Sequence, residues 1–293
     1  MSAALKNQTR GPGAAPPAMS ALPPVDDKPR GRFLPKWRRE SASKPSSAQP
    51  NTSKSIGSAP TSQPELQASM AELHTALGPV PAGQGRVLQF VAAASGEGSS
   101  TLAREFALYA AQHARRPVWL VDLDLMGATQ HAAIQTDARF GALGPASQAS
   151  PDGSSFVSVQ PSARTADGKV LTDARYLAGH AVLKGRLWVT RFRKEALRPG
   201  QQVRLNATPE YWRALAAHAE YVVIDTPAAD RSTAAVTLAA QVDASVMVVA
   251  ADGADARAPA ALKQALESHG GRIAGLVFNR APRTPRFLEK LLS

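Results

Sequence analysis

Two features of this 293-residue sequence have the residue types and spacing for chemistry: a glycine turn, Gly96-Glu97-Gly98-Ser99-Ser100-Thr101, and carboxylates that end short apolar runs. Asp122 and Asp124 follow Val118-Trp119-Leu120-Val121, and Asp225 follows Tyr221-Val222-Val223-Ile224. A glycine turn between a buried strand and a helix gathers free backbone N–H groups and the positive end of a helix dipole, which suits phosphate. A carboxylate ending a neighbouring strand suits a magnesium ion held through water. Together they imply binding of a phosphoryl group and, with a suitable cation, its transfer.

That cation is what the turn lacks. A phosphate loop reads G-x-x-x-x-G-K-[ST], whereas Ala93 stands here at the first glycine and Ser99 at the lysine. Without the ammonium group, the charge that develops in phosphoryl transfer loses a main stabiliser. Binding is less affected, because the N–H cradle, the helix dipole and the Ser100 hydroxyl for magnesium are kept. The reading requires an open turn around Glu97, with Asp122 and Asp225 placed beside it by the sheet.

The elements that must position these residues follow from apolar periodicity. Val87, Leu88, Phe90 and Val91 form a buried-strand run ahead of the glycines, and Leu102, Phe106, Tyr109, Ala110 and His113 mark one face of the helix after them. With the strand through Val121, this is one βαβ unit. Further strands are expected at Leu187-Trp188-Val189-Thr190, 221–225, Ser245 to Ala250 and Ile273 to Asn279. Helices are expected after Thr208-Pro209-Glu210, with Trp212, Leu215, Ala216 and Ala219 buried, and from Ala258 to His269. The alternation predicts an α/β fold with a mostly parallel, doubly wound sheet. A helix from Ser62 to Leu77, opened by a Ser62/Glu65 capping box and closed by Gly78, carries Leu66, Met70, Leu73 and Leu77 toward the domain. Periodicity is weak from Met126 to about Lys184, where Asp152-Gly153 and Asp167-Gly168 mark turns and one helix is expected near Thr172 to His180.

Composition sets the outer bounds. With no cysteine, disulfides and thiolate chemistry are excluded. No stretch approaches the roughly 20 apolar residues of a membrane span, and the start lacks the apolar centre of a signal peptide, so the expectation is a cytoplasmic protein. The net charge of +11 is uneven: the first 64 residues hold ten Lys and Arg against three acidic residues. Residues 1–60, rich in Pro, Ser and Ala, read as a disordered basic tail. Residues 61–84 read as helix and hinge, and 85–293 as the nucleotide-binding-like domain. Within the tail, the basic and aromatic cluster in 28–39 could lie on an anionic membrane surface, placing the protein at the periphery of the inner membrane. With so much of the charge in the tail, a nucleic acid partner is not expected.

Five segments, GEGSSTLAREFALYAAQ, VWLVDLDL, YVVIDTPA, VDASVMVVA and GLVFN, occur in the order found in the bacterial tyrosine kinases of capsule and exopolysaccharide export. Over about Arg86 to Arg280 the chain resembles that family, within the MinD and ParA group of phosphate-loop ATPases. The resemblance implies a phosphate-loop fold, with ATP or ADP and magnesium as ligands. It makes Gly96 to Thr101 the phosphate loop, with Ser100 facing magnesium and Asp225 as the Walker B carboxylate. Asp122 would activate the incoming hydroxyl, with Asp124 as its companion, and Asn279 would contact the adenine. It also implies an inner-membrane polysaccharide copolymerase as partner, and it leaves homo-oligomerisation open.

The departures fall together. The lysine is missing at Ser99, Met126 replaces the arginine usual after Asp-x-Asp-Leu, and the tail RAPRTPRFLEKLLS has no tyrosine to accept phosphate. The helix before the first strand also lacks the Glu and Arg pattern used for ring assembly. A catalytically impaired member, with nucleotide and magnesium binding weakened or lost, is the expectation. The alternatives are an active kinase in which Arg104 or a neighbouring subunit's arginine replaces the lysine, and a partitioning ATPase.

Overall fold

The computed structural model describes residues 63–252 and 256–280. The basic tail with its 28–39 cluster, the Ser62 side of the capping box and the segment after Arg280 lie outside the described residues. In chain order the elements are α1 (Gln63–Leu77), β1 (Arg86–Ala92), α2 (Ser99–His113), β2 (Val118–Asp122), α3 (Thr129–Thr136), β3 (Ala146–Gln148), β4 (Val157–Gln160), β5 (Leu177–Val182), β6 (Leu187–Phe192), β7 (Gln202–Leu205), α4 (Glu210–His218), β8 (Tyr221–Asp225), α5 (Ala234–Leu238), β9 (Ala244–Ala250), α6 (Arg257–Ser268) and β10 (Ile273–Asn279).

Eight strands form one sheet in the order β10-β9-β1-β8-β2-β6-β5-β3. The six from β10 to β6 pair in parallel, as expected for the doubly wound class, and β5 and β3 add an antiparallel edge. Alternation along β1 shows how both faces are covered. Leu88, Phe90 and Ala92 enter the core shared with Met70, Leu102 and Phe106 of α1 and α2. Val87 and Val91 enter the cores under α4 and under α5 and α6. Gln89, also buried, is held by its amide to Ala235 O and Ser245 Oγ.

Helix α1 docks as its stripe predicts. Met70 is buried, Leu66, Leu73 and Leu77 pack against the main core, and Gly78 ends the helix at φ +70°. Arg86 ties this end to the sheet by donating to the carbonyls of Leu77, Gly78 and Pro79. Helix α2 is buried beyond one stripe: Leu102, Phe106 and Ala110 are inside as expected, but so are Ala103 and Glu105, the latter paired with Arg139, while His113 is exposed.

Two expectations are corrected. The helix proposed near Thr172 to His180 is a single 3-10 turn, Asp173–Tyr176, leading into β5. Its residues pair antiparallel with β6, and Gly179 lies against Trp119, where a Cβ would stand 3.1 Å from the ring. Trp119 and Trp188, register partners on β2 and β6, stack at 5.3 Å beside it, a contact worth about 0.5–1.5 kcal/mol beyond burial. Tertiary pairing therefore overrides local pattern. Secondly, α4 begins at Glu210 behind a helical Pro209 with no side-chain cap, so Thr208 does not cap it. Its buried side is as expected, with Tyr211 added.

Candidate functional site

Parallel strands deliver their carboxyl ends to one edge, and this edge holds the residues singled out by sequence. Asp122 and Asp225 are direct register partners on β2 and β8, and β8 lies beside β1, which feeds the glycine turn. The sheet order thus meets the stated requirement. Gly96 and Gly98 take φ of +87° and +95°, so the turn uses glycine where other residues would be strained. Gly98 also admits Asn279: a Cβ there would stand 2.2 Å from the Asn279 amide nitrogen.

Openness is only partly met. Ser95 and Gly96 are exposed, as is Thr101, whereas Glu97 and Ser99 are buried. The Glu97 carboxylate accepts from Ala94 N at 2.9 Å and from Ala250 N at 3.3 Å. Asp230 accepts from the backbone N and the hydroxyl of Ser95. Two carboxylates of the chain itself therefore brace the first arm of the turn. Asn279 donates to Glu97 O at 2.8 Å, and Arg280 donates to Gly96 O and pairs with Asp252 at 3.5 Å. Asn279 is thus engaged with the turn backbone, and the end of β10 clamps it.

The carboxylates are equally committed. Ser100 Oγ donates to Asp225 Oδ1 at 2.9 Å, bringing together the two residues expected to face magnesium. The other oxygen of Asp225 accepts from the Gln130 side-chain amide at 2.7 Å. Asp122 accepts from Asp124 N through Oδ1 and from Gln130 N through Oδ2, both at 2.8 Å. Asp124 is half-buried and accepts from Gly127 N in its own turn. Burial, then the nearby Asp225 charge, pushes Asp122 up to about 7. Burial pushes Asp225 up to about 6, against the hydrogen bonds from Gln130 and Ser100 that pull it down. A pair of this kind holds a proton readily.

Two residues were missed or read differently from sequence. Gln130, fully buried, sits in the segment with weak periodicity, and nothing in its spacing marks it. Arg104 donates to Gln130 Oε1 at 3.3 Å and its charge acts on Asp225, so it belongs to the carboxylate side of the site. As for magnesium, hard cations need converging oxygen lone pairs, and each Asp225 oxygen already gives one of its lone pairs to a hydrogen bond, from Ser100 and from Gln130. Among the described residues no group of three or more His, Cys, Asp or Glu could hold a metal, and no helix is long and apolar enough to cross a membrane.

No protein-family model and no curated protein matches the chain. Among solved structures it is similar to the kinase domain of the tyrosine kinase ETK from Escherichia coli, at 16% identity and TM-score 0.48, covering 81% of this chain and 85% of that one. It is also similar to the kinase domain of VpsO, at 21% identity and TM-score 0.45, covering 73% and 96%. A ParA family ATPase from Chlorobium tepidum TLS aligns at 16% identity and TM-score 0.43, covering 70% and 78%.

Proposed function

We propose that this chain is a catalytically impaired nucleotide-binding-like protein of exopolysaccharide biosynthesis and export, which regulates an inner-membrane polysaccharide copolymerase from the cytoplasmic face. The observation that carries the reading is Ser99. It is buried at 7% exposure at the place of the phosphate-loop lysine, inside a frame of glycine turn, Ser100, Asp122 and Asp225 that is otherwise assembled. A frame that keeps its geometry without its cation suits recognition more than transfer, because positioning and charge stabilisation are what phosphoryl transfer draws on. Nucleotide binding, where retained, is weak in this reading. The polysaccharide role rests on the five-segment resemblance, and membrane attachment on the basic cluster in 28–39.

Purified full-length protein is incubated with labelled ATP, alone and with the cytoplasmic part of an inner-membrane polysaccharide copolymerase. No hydrolysis and no labelled protein are expected. In cells, Asp122→Asn should support polysaccharide export as wild type does. Hydrolysis that depends on Asp122, or loss of export in that variant despite normal protein levels, refutes the proposal.

A further inference from the structure

Gln130 spans the corner where a phosphate-loop protein would place its metal. Its side chain is 0% exposed. Its amide nitrogen donates to Asp225 Oδ2 at 2.7 Å and to the Ser100 carbonyl at 2.8 Å, and its backbone N donates to Asp122 Oδ2 at 2.8 Å. Arg104 donates to the amide oxygen, which fixes the orientation of the group with its N–H bonds toward the carboxylate. One residue in the first turn of α3 thus joins the phosphate-turn helix and both strand-end carboxylates.

An amide N–H aimed at a carboxylate oxygen takes one of its lone pairs and does part of the electrostatic work a cation would do there, so a cation entering on that side has to displace it. The Ser100 hydroxyl already serves the other oxygen. Displacing Gln130 would leave its buried amide without these partners, a cost set by desolvation of a polar group. We propose that Gln130 is the specificity-determining residue of this site: it excludes a divalent cation from the corner between Ser100, Asp122 and Asp225. A phosphate-bearing ligand seated in the turn is then bound without metal. Only that second consequence rests on the reading of the turn as a phosphate cradle; the exclusion of the cation stands by itself.

Manganese is the probe, followed by the loss of its free-ion paramagnetic signal on titration with the full chain. Wild type should leave the signal unchanged. Gln130→Ala, and Gln130→Met as a variant that keeps the packing, should bind one ion at least about tenfold more tightly, the scale of one lost hydrogen bond to a charged group. Circular dichroism confirms that the variants fold. Wild type binding as tightly as the variants, or no binding by folded variants, overturns the proposal; the wild-type titration alone can do so if neither variant folds. ADP affinity of wild type should be the same with magnesium and with chelator, and an affinity that rises with magnesium also overturns it. No ADP binding in either condition counts against the cradle reading alone.

Discussion

Replacing Asp122 with Asn should change stability in opposite directions at the two ends of an accessible pH range. Asp122 is 2% exposed, and its carboxyl is pushed from 3.8 up to about 7, chiefly by burial. A carboxyl with a raised folded-state value binds its proton in the folded chain while the unfolded chain has lost it. Its contribution is therefore fully present below about pH 4 and is lost as pH rises through about 7. Three units at about 1.4 kcal/mol each put the penalty near pH 8 at roughly 4 kcal/mol at most. The Asn variant removes that penalty but turns a donor toward the N–H of Gln130 or Asp124, both of which the carboxylate now accepts, at a cost of about 1–3 kcal/mol. The variant should thus be less stable than wild type by up to about 2 kcal/mol near pH 4.5, where about 1 kcal/mol of the penalty is already in force, and more stable by about 1–3 kcal/mol near pH 8. The difference between the two proteins is the quantity to follow. His131 and His74 have values lowered by burial, gain stability as pH rises, and cancel in the difference. Urea unfolding of full-length protein across this range measures it. A difference of constant sign and size at every pH refutes the reasoning, because it would mean that Asp122 carries no excess proton in the folded state.

The central β1-α2-β2 unit and the strands β8, β9 and β10 were legible because each is a short apolar run bounded by turn residues, and a buried parallel strand needs nothing more. The adjacency of Asp122 and Asp225 followed from topology, since parallel neighbours end at one edge. What was not legible depends on contacts distant in sequence. Leu177 to Val182 has no alternation to mark it as a strand; it becomes one by pairing with β6, where Gly179 leaves room for Trp119. The small sheet of β4 and β7 likewise joins runs more than forty residues apart. Gln130 is the sharpest case, because its role comes from Asp225, 95 positions away, and a glutamine among small residues carries no local signal of it. On the sequence Glu97 belongs to an open phosphate turn, yet its carboxylate reaches Ala250 N on β9. The sequence marked which groups gather at this edge, but whether they face a ligand or one another is decided by donor and acceptor pairing across strands.

Gly98→Ala should cost about 1–3 kcal/mol, since it forces a side chain into φ +95° and drives a Cβ toward the Asn279 amide. Melting temperatures check it: adding Asn279→Ala should recover the steric part alone, and full recovery would show that the backbone is not strained. The last prediction concerns Glu105, buried on α2 at 2% exposure. It accepts from Arg139 Nη1 at 2.8 Å and Nη2 at 2.6 Å, while Asp137 holds the same guanidinium from the other side. Removing one partner of a buried pair costs about 3–5 kcal/mol when it leaves an uncompensated charge. Here Asp137 still neutralises Arg139, whose side chain is 32% exposed, so Glu105→Ala should fall near or below the lower end, about 2–3 kcal/mol, with the cavity included. Glu105→Gln keeps one acceptor and should cost less. Equal losses in urea for the two variants would place the energy in the charged pair and none in packing of the side chain, and a greater loss for Gln would show that its buried amide donor finds no acceptor between α2 and the Asp137 turn.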